Sequence, residues 1–239
     1  MSPPEPAQLL AALDATWPAL SVTDLDGWRV RTGAGGGKRV SATSALCTDG
    51  DIELAEHAQR ALGQSPLFRL SPADITLDAA LAGRGYQLRD PSVIYAARTA
   101  DLAQKPPPVR LFEIWPPLAI MRDIWADGGI GPARLAVMDR ARPPRSGFVA
   151  RLDDRVAGVA FCALHDQIAM IHAIEVAPVA RRKRVATTIL RGVADWAQAQ
   201  GADWLTLAVT EENTPARALY AGLGMQIAGR YHYREEHHA

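Results

Sequence analysis

The stretch that decides the fold reads Ile174-Glu175-Val176-Ala177-Pro178-Val179-Ala180-Arg181-Arg182-Lys183-Arg184-Val185-Ala186. An apolar run ends at Val176, Pro178 turns the chain, and Val185, Ile189, Val193 and Trp196 then recur at helical spacing. A buried strand therefore runs into a helix, predicted over Arg181 to Gln200, with Gly201 stopping it. The first N–H groups of a helix lack partners within it and the helix dipole favours negative charge there, so this junction is an anion site. Basic residues ordinarily sit at the opposite end. Four in a row at the start oppose the dipole and need an anion to offset them. The plainer alternative is a solvated basic turn on a surface helix.

Working outward, the junction is preceded by a hairpin, Gly147 to Leu152 and Val156 to His165 around Asp153-Asp154-Arg155, and by the strand Ile168 to Val176. It is followed by strand Trp204 to Val209, helix Pro215 to Gly222 and strand Gly229 to Arg234. Upstream, a strand at Val109 to Glu113 and a helical region at Pro117 to Asp139 follow the prolines of Lys105-Pro106-Pro107-Pro108, which suit neither helix nor central strand and read as a linker. Before them the expected order is helix Ala7 to Thr16, strands Gly27 to Arg31 and Lys38 to Leu46, helix Ile52 to Leu62, strand Leu67 to Leu70, helix Asp74 to Arg84 and strand Ser92 to Arg98. The fold class is α/β (α+β), a mixed and mostly antiparallel sheet flanked by helices. Ala82-Gly83-Arg84-Gly85-Tyr86-Gln87-Leu88 echoes Ala221-Gly222-Leu223-Gly224-Met225-Gln226-Ile227, each at a helix end before a strand, which suggests two tandem halves.

Val176, Pro178, Arg181 and Ala186 resemble the signature Val-x-Pro-x-x-Arg/Gln-x-x-Gly-x-Gly/Ala of the GNAT superfamily of N-acetyltransferases. Asn213-Thr214-Pro215-Ala216-Arg217-Ala218-Leu219-Tyr220-Ala221-Gly222-Leu223-Gly224-Met225 is similar to a second motif of that superfamily, with Met225 in place of Phe. The resemblance implies a GNAT domain over 109–239, a degenerate GNAT-like domain over 1–104, and a linker at 105–108. It implies that Val176, Arg181, Arg182, Lys183, Arg184, Val185, Ala186, Thr187 and Asn213 bind acetyl-CoA as co-substrate. Arg184 stands where the family has glycine; in helical geometry it still offers its N–H, and weakened or redirected binding is expected. Tyr220 is similar to the family's general acid, a phenol that keeps its proton at neutral pH. Many family members take a base from the strand before the junction, so Glu175 and His172 are both candidates, and their spacing puts them on opposite faces of a regular strand. Leu81 takes the place of Tyr220 in the echo, and Thr48-Asp49-Gly50-Asp51 offers carboxylates where the first half would need a phosphate site, so one acyl-CoA per chain is expected.

Composition narrows the partners. Lys plus Arg number 26 and Asp plus Glu 26, so no net field draws the chain to nucleic acid or anionic lipid. No basic leader precedes an apolar run and no stretch matches a membrane span, so a cytoplasmic protein without membrane or nucleic-acid partners is expected. Cys47 and Cys162 read as reduced packing residues, and His232, His237 and His238 as an exposed tail without metal spacing. Gly33-Ala34-Gly35-Gly36-Gly37-Lys38 fails both nucleotide fingerprints and reads as a mobile hairpin turn near the substrate cleft. The expected activity is transfer of an acetyl (acyl) group to a small-molecule amine or peptide amine, without a metal and compatible with a homo-oligomer. The alternative is a non-catalytic acyl-CoA-binding or protein-interaction module.

Overall fold

A computed structural model describes residues 2–236. The helices are α1 (Pro6–Thr16), α2 (Lys38–Ser41), α3 (Ile52–Ala61), α4 (Ile75–Gly83), α5 (Thr99–Leu102), α6 (Ala119–Asp127), α7 (Pro132–Arg140), α8 (Val185–Ala199) and α9 (Thr214–Gly222). The strands are β1 (Ser21–Leu25), β2 (Trp28–Thr32), β3 (Ser44–Ala45), β4 (Leu67–Leu70), β5 (Gln87–Arg98), β6 (Leu111–Ile114), β7 (Arg145–Leu152), β8 (Arg155–His165), β9 (Ile168–Val176), β10 (Trp204–Thr210) and β11 (Gln226–Glu235). A small sheet β1-β2-β3 adjoins an 8-stranded sheet of order β4-β11-β5-β10-β9-β8-β7-β6. All neighbours in the large sheet are antiparallel except β9 and β10.

Alternation along β8 explains the layers. Ala160 and Cys162 face a core shared with Val185, Ile189, Leu190 and Val193 of α8, while Val159, Phe161 and Ala163 face one shared with Met121 and Trp125 of α6 and Val137 and Met138 of α7. Full burial of side chains such as Ile189 and Val193 contributes about 1.5–3 kcal/mol each, which anchors α8 on the sheet while its first turn stays at the edge. On the other face α1 is tied down by Asp14, whose carboxylate meets Arg69 and Arg31, each at 2.6 Å.

Strands from either side of the proline segment interleave. β5 lies between β10 and β11, and β11 lies between β5 and β4. The α4–β5 and α9–β11 units, which carry the sequence echo, thus exchange strands reciprocally: each inserts its strand beside the other half's. The proline segment separates the two regions in the chain but not in the sheet.

Four local expectations change. Lys38 to Leu46 is not a strand: it forms α2 and the two-residue β3. The glycine-rich stretch is packed against α7, since a Cβ on Gly36 would lie 2.7 Å from Val137 Cγ2 and 2.8 Å from Val40 Cγ2. Cys162 is buried, but Cys47 is exposed. His232 is half-buried in β11, 2.8 Å from Asp78 through Nε2, whereas His237 and His238 lie outside the described residues.

Candidate active site

The decisive geometry is a split in the sheet. β9 and β10 are paired only from Trp204↔Ile168 to Thr206↔Met170. Beyond that point β10 continues alongside β5 and β9 alongside β8, so the two parallel strands diverge. A cleft of about 860 Å³ follows the divergence, lined by the end of β9, the start of α8 and one face of α9.

Most of the residues singled out from sequence meet there. Glu175, Val176, Arg181, Arg182, Arg184, Val185, Ala186, Thr187, Asn213 and Tyr220 all line the cleft; Lys183 and His172 do not. Asn213 caps α9 by accepting from Ala216 N–H at 3.2 Å, and Pro215 occupies the first turn, where its missing N–H is harmless.

The helix that faces the cleft starts later than its composition indicates. A 3₁₀ turn at Pro178–Ala180 follows β9, and α8 begins only at Val185, with Arg184 as N-cap and no side-chain cap. Arg182 and Arg184 both have left-handed backbones, at φ 63° and 64°. Arg184 is therefore not in helical geometry: it holds the conformation that favours glycine, and its N–H is aimed by that conformation. Arg181 donates from Nε to the Val176 carbonyl at 3.3 Å. Two left-handed residues directly ahead of an uncapped helix start leave unpaired N–H donors at the cleft, an arrangement that suits an anion. All four basic residues are exposed.

The two candidate bases also sit differently from a regular strand. Val159 opposes Glu175 and Phe161 opposes His172, so two residues of β9 face only Ala160 of β8 between them. This is a β-bulge with Ala173 at φ 52°, and the extra residue brings Glu175 and His172 onto the same face. Trp125 of α6 pins the bulge by donating its indole N–H to the Ala173 carbonyl at 2.8 Å. Gly128, capping α6, lies directly over Glu175, since a Cβ there would be 2.5 Å from the Glu175 Cδ.

Their electrostatics separate them. His172 is 3% exposed and packs between Trp17 and Phe161. Thr16 Oγ1 gives its proton to the Ala12 carbonyl at 2.6 Å, so His172 Nε2–H donates to Thr16 Oγ1 at 2.9 Å and Nδ1 is left without a partner. Burial, with Arg39 second, holds the imidazole well below its ordinary pKa, so it stays neutral and sealed away from the cleft. Glu175 is half-buried at the cleft, and burial raises its pKa while Arg181 partly offsets the rise. Tyr220 is 8% exposed, lies against Tyr95 with ring centroids 5.5 Å apart and planes tilted by 58°, and is pushed up to about 12, by burial first and against the pull of Arg39.

Among the described residues, Trp125, Gly128 and Arg39 bear on the site without having stood out as site residues in the sequence. Trp125 and Gly128 act through distant packing that carries no local pattern. Arg39 follows the flagged glycine stretch by one residue and offered the only signal.

Residues 110–225 match the acetyltransferase (GNAT) family. The chain is 27% identical over 234 residues to the uncharacterized N-acetyltransferase YobR of Bacillus subtilis (strain 168), covering 92% of this chain and 94% of that one. A GCN5-related N-acetyltransferase from Kribbella flavida superposes with a TM-score of 0.73 at 14% identity, over 98% of this chain and 96% of that one. A tandem GNAT protein from the clavulanic acid biosynthesis pathway superposes with a TM-score of 0.53 at 15% identity, over 77% of this chain and 68% of that one.

Proposed function

From the premise that residues 110–225 form an acetyltransferase (GNAT) domain, we propose that the protein moves an acetyl (acyl) group from acetyl-CoA to a primary amine by direct attack in a ternary complex, in the cytoplasm. The observation that carries the reading is the joint lining of one cleft by the uncapped start of α8, the carboxyl of Glu175 and the phenol of Tyr220. The cleft suits the co-substrate in two ways. Its basic end, with Arg181, Arg182, Arg184 and the N–H groups of Val185, Ala186 and Thr187, fits a pyrophosphate, and the diverging edge of β9 leaves backbone groups for an amide-bearing arm.

Acetyl-CoA, when bound, supplies an acyl carbon with a thiolate leaving group. Glu175 accepts a proton from the ammonium, which frees the nitrogen lone pair to form the N–C bond. Tyr220 gives its proton to the sulfur as the C–S bond breaks. The second proton shed by the nitrogen restores the phenol, and Glu175 returns its own to solvent. Positioning of the two reactants contributes on the order of 7–11 kcal/mol at best, and the acid about 10²–10⁴-fold.

Residues 1–104 serve as a degenerate half that walls the site, and one CoA binds per chain. Supporting this, Asp51 uses its carboxylate to cap α3, accepting from Glu53 N–H at 2.9 Å, where a pyrophosphate would be repelled. The test joins a calorimetric titration with CoA to thiol release from acetyl-CoA over a panel of amines. One CoA per chain and thiol release that falls about 10²-fold in Tyr220→Phe, with CoA affinity kept, is expected. Tight CoA binding without transfer to any amine would leave an acyl-CoA-binding module; two sites per chain would overturn the degenerate half.

A further inference from the structure

Building on the acetyl-transfer reading, we propose that the amine acceptor carries a carboxylate, held by Arg39 and Arg134 together with the Tyr233 hydroxyl. These three residues line a second cavity of about 430 Å³, towards the lower end of small-ligand sites. The cavity belongs beside the cleft: Ala173 lines it while the adjoining Ile174 and Glu175 line the cleft, and Thr210 lines it while Asn213 lines the cleft. An acceptor seated in it has its amine next to the strand segment that carries Glu175.

Three features call for an anion. The lining holds three cations, Lys38, Arg39 and Arg134, against one carboxylate, Asp90. Lys38 already meets Asp90 at 3.2 Å and Glu235 at 3.5 Å, so the cavity's own acid is spoken for. Arg39 and Arg134 are without a carboxylate partner among the described residues; Arg39 donates to the Ala208 carbonyl at 3.2 Å, and Arg134 to the Gly129 carbonyl at 3.3 Å. Arg39 also meets the Tyr231 hydroxyl, but a guanidinium has five N–H donors in a planar fork that matches a carboxylate, so these neutral acceptors leave part of that capacity and the whole charge unmet. Independently, Tyr233 is 3% exposed and its hydroxyl, though close to that of Tyr231, makes no well-formed hydrogen bond, a buried polar group that a ligand oxygen would satisfy.

Gly37 shows how the arginines are brought together. It has φ 96°, and a Cβ there would lie 3.5 Å from Arg134 Nη2, so the glycine stretch lets α2, with Arg39, close against α7, with Arg134. The same stretch that fails as a nucleotide loop would then shape the acceptor's anion pocket.

The experiment is calorimetric titration of the CoA-loaded protein with α- and ω-amino acids, each alongside its carboxamide, and with thiol release from acetyl-CoA recorded for the same compounds. At least one acid should bind about tenfold or more tightly than its amide, as expected for a charge-assisted contact. Arg134→Gln, a surface change, and Tyr233→Phe should each remove most of that preference while CoA affinity stays within about twofold. Equal binding of acids and amides, no binding of any acid, or a preference untouched by both variants overturns the proposal. Transfer to amines without a carboxylate preference would sink this inference and keep the acetyl-transfer reading; a carboxylate preference without transfer would do the reverse.

Discussion

In the proposed mechanism Glu175 and Tyr220 divide the proton work, because burial raises the carboxyl of one and the phenol of the other. Burial raises the Glu175 carboxyl above the ordinary carboxylate range, so the proton it must shed before acting as a base leaves later than usual, and kcat/KM should rise with pH through that raised value. Tyr220, at about 12, keeps its proton across the whole neutral range, so no loss from the acid appears there. In Glu175→Gln the acidic limb should vanish and turnover fall about 10²-fold or more; a limb that persists would remove Glu175 as the base. Arg184 makes a separate prediction at this scale. Its left-handed backbone costs about 1–2 kcal/mol in an L-residue, while glycine gives back part of that as chain entropy, so Arg184→Gly should stabilise the fold by up to about 1 kcal/mol in denaturant melts. CoA affinity measured on the same variant separates backbone from side chain: an unchanged value means the N–H cradle suffices, and a large loss means the guanidinium itself touches a phosphate. The motif was legible at these residues, but the conformation was not, because four basic residues in a row carry good helix propensity and hide the turn.

Helices and strands were legible where a single face is buried and obscure where geometry departs from its period. β4 and β9 fall where alternation and apolar runs put them, since their ends coincide with turn residues. α2 was hidden in a segment whose glycines erase periodicity, and the bulge at Ala173 was hidden because an alanine at φ 52° looks like any other alanine. The bulge matters more than its size suggests, since it decides which face Glu175 takes. Trp125 holds it through one hydrogen bond from α6 at 2.8 Å. Trp125→Phe keeps most of the ring packing and removes that donor, leaving a buried carbonyl at a cost of about 1–3 kcal/mol. Its effect should fall on kcat, with CoA affinity within a few-fold and the Glu175 pH limb displaced. A variant that loses stability alone, with limb and kcat intact, would make Trp125 a packing residue and nothing more.

At the scale of the whole molecule, strand order decides whether the two halves are separable. Strand order is a long-range property, and neither the proline segment nor the echo between 82–88 and 221–227 reveals which strands become neighbours. The exchange puts β5, from the first half, between β10 and β11 of the second, in register from Trp204↔Arg98 to Thr210↔Ser92 on one side and from Gln226↔Ala96 to Glu235↔Gln87 on the other. A fragment starting at residue 105 therefore loses the strand that joins β10 to β11 and exposes two long strand edges, which template aggregation. Tyr220, which lines the cleft, would lose its ring contact with Tyr95 on β5. The fragment from 105 onward should be insoluble or unfolded by circular dichroism when made alone, and should recover structure and CoA binding when co-expressed with residues 1–104, because the exchanged strands can pair between chains as they do within one. A soluble, CoA-binding fragment made alone would mean that β11 can close on β10 directly, and the reciprocal exchange would then be a feature of the intact chain that its second half does not need.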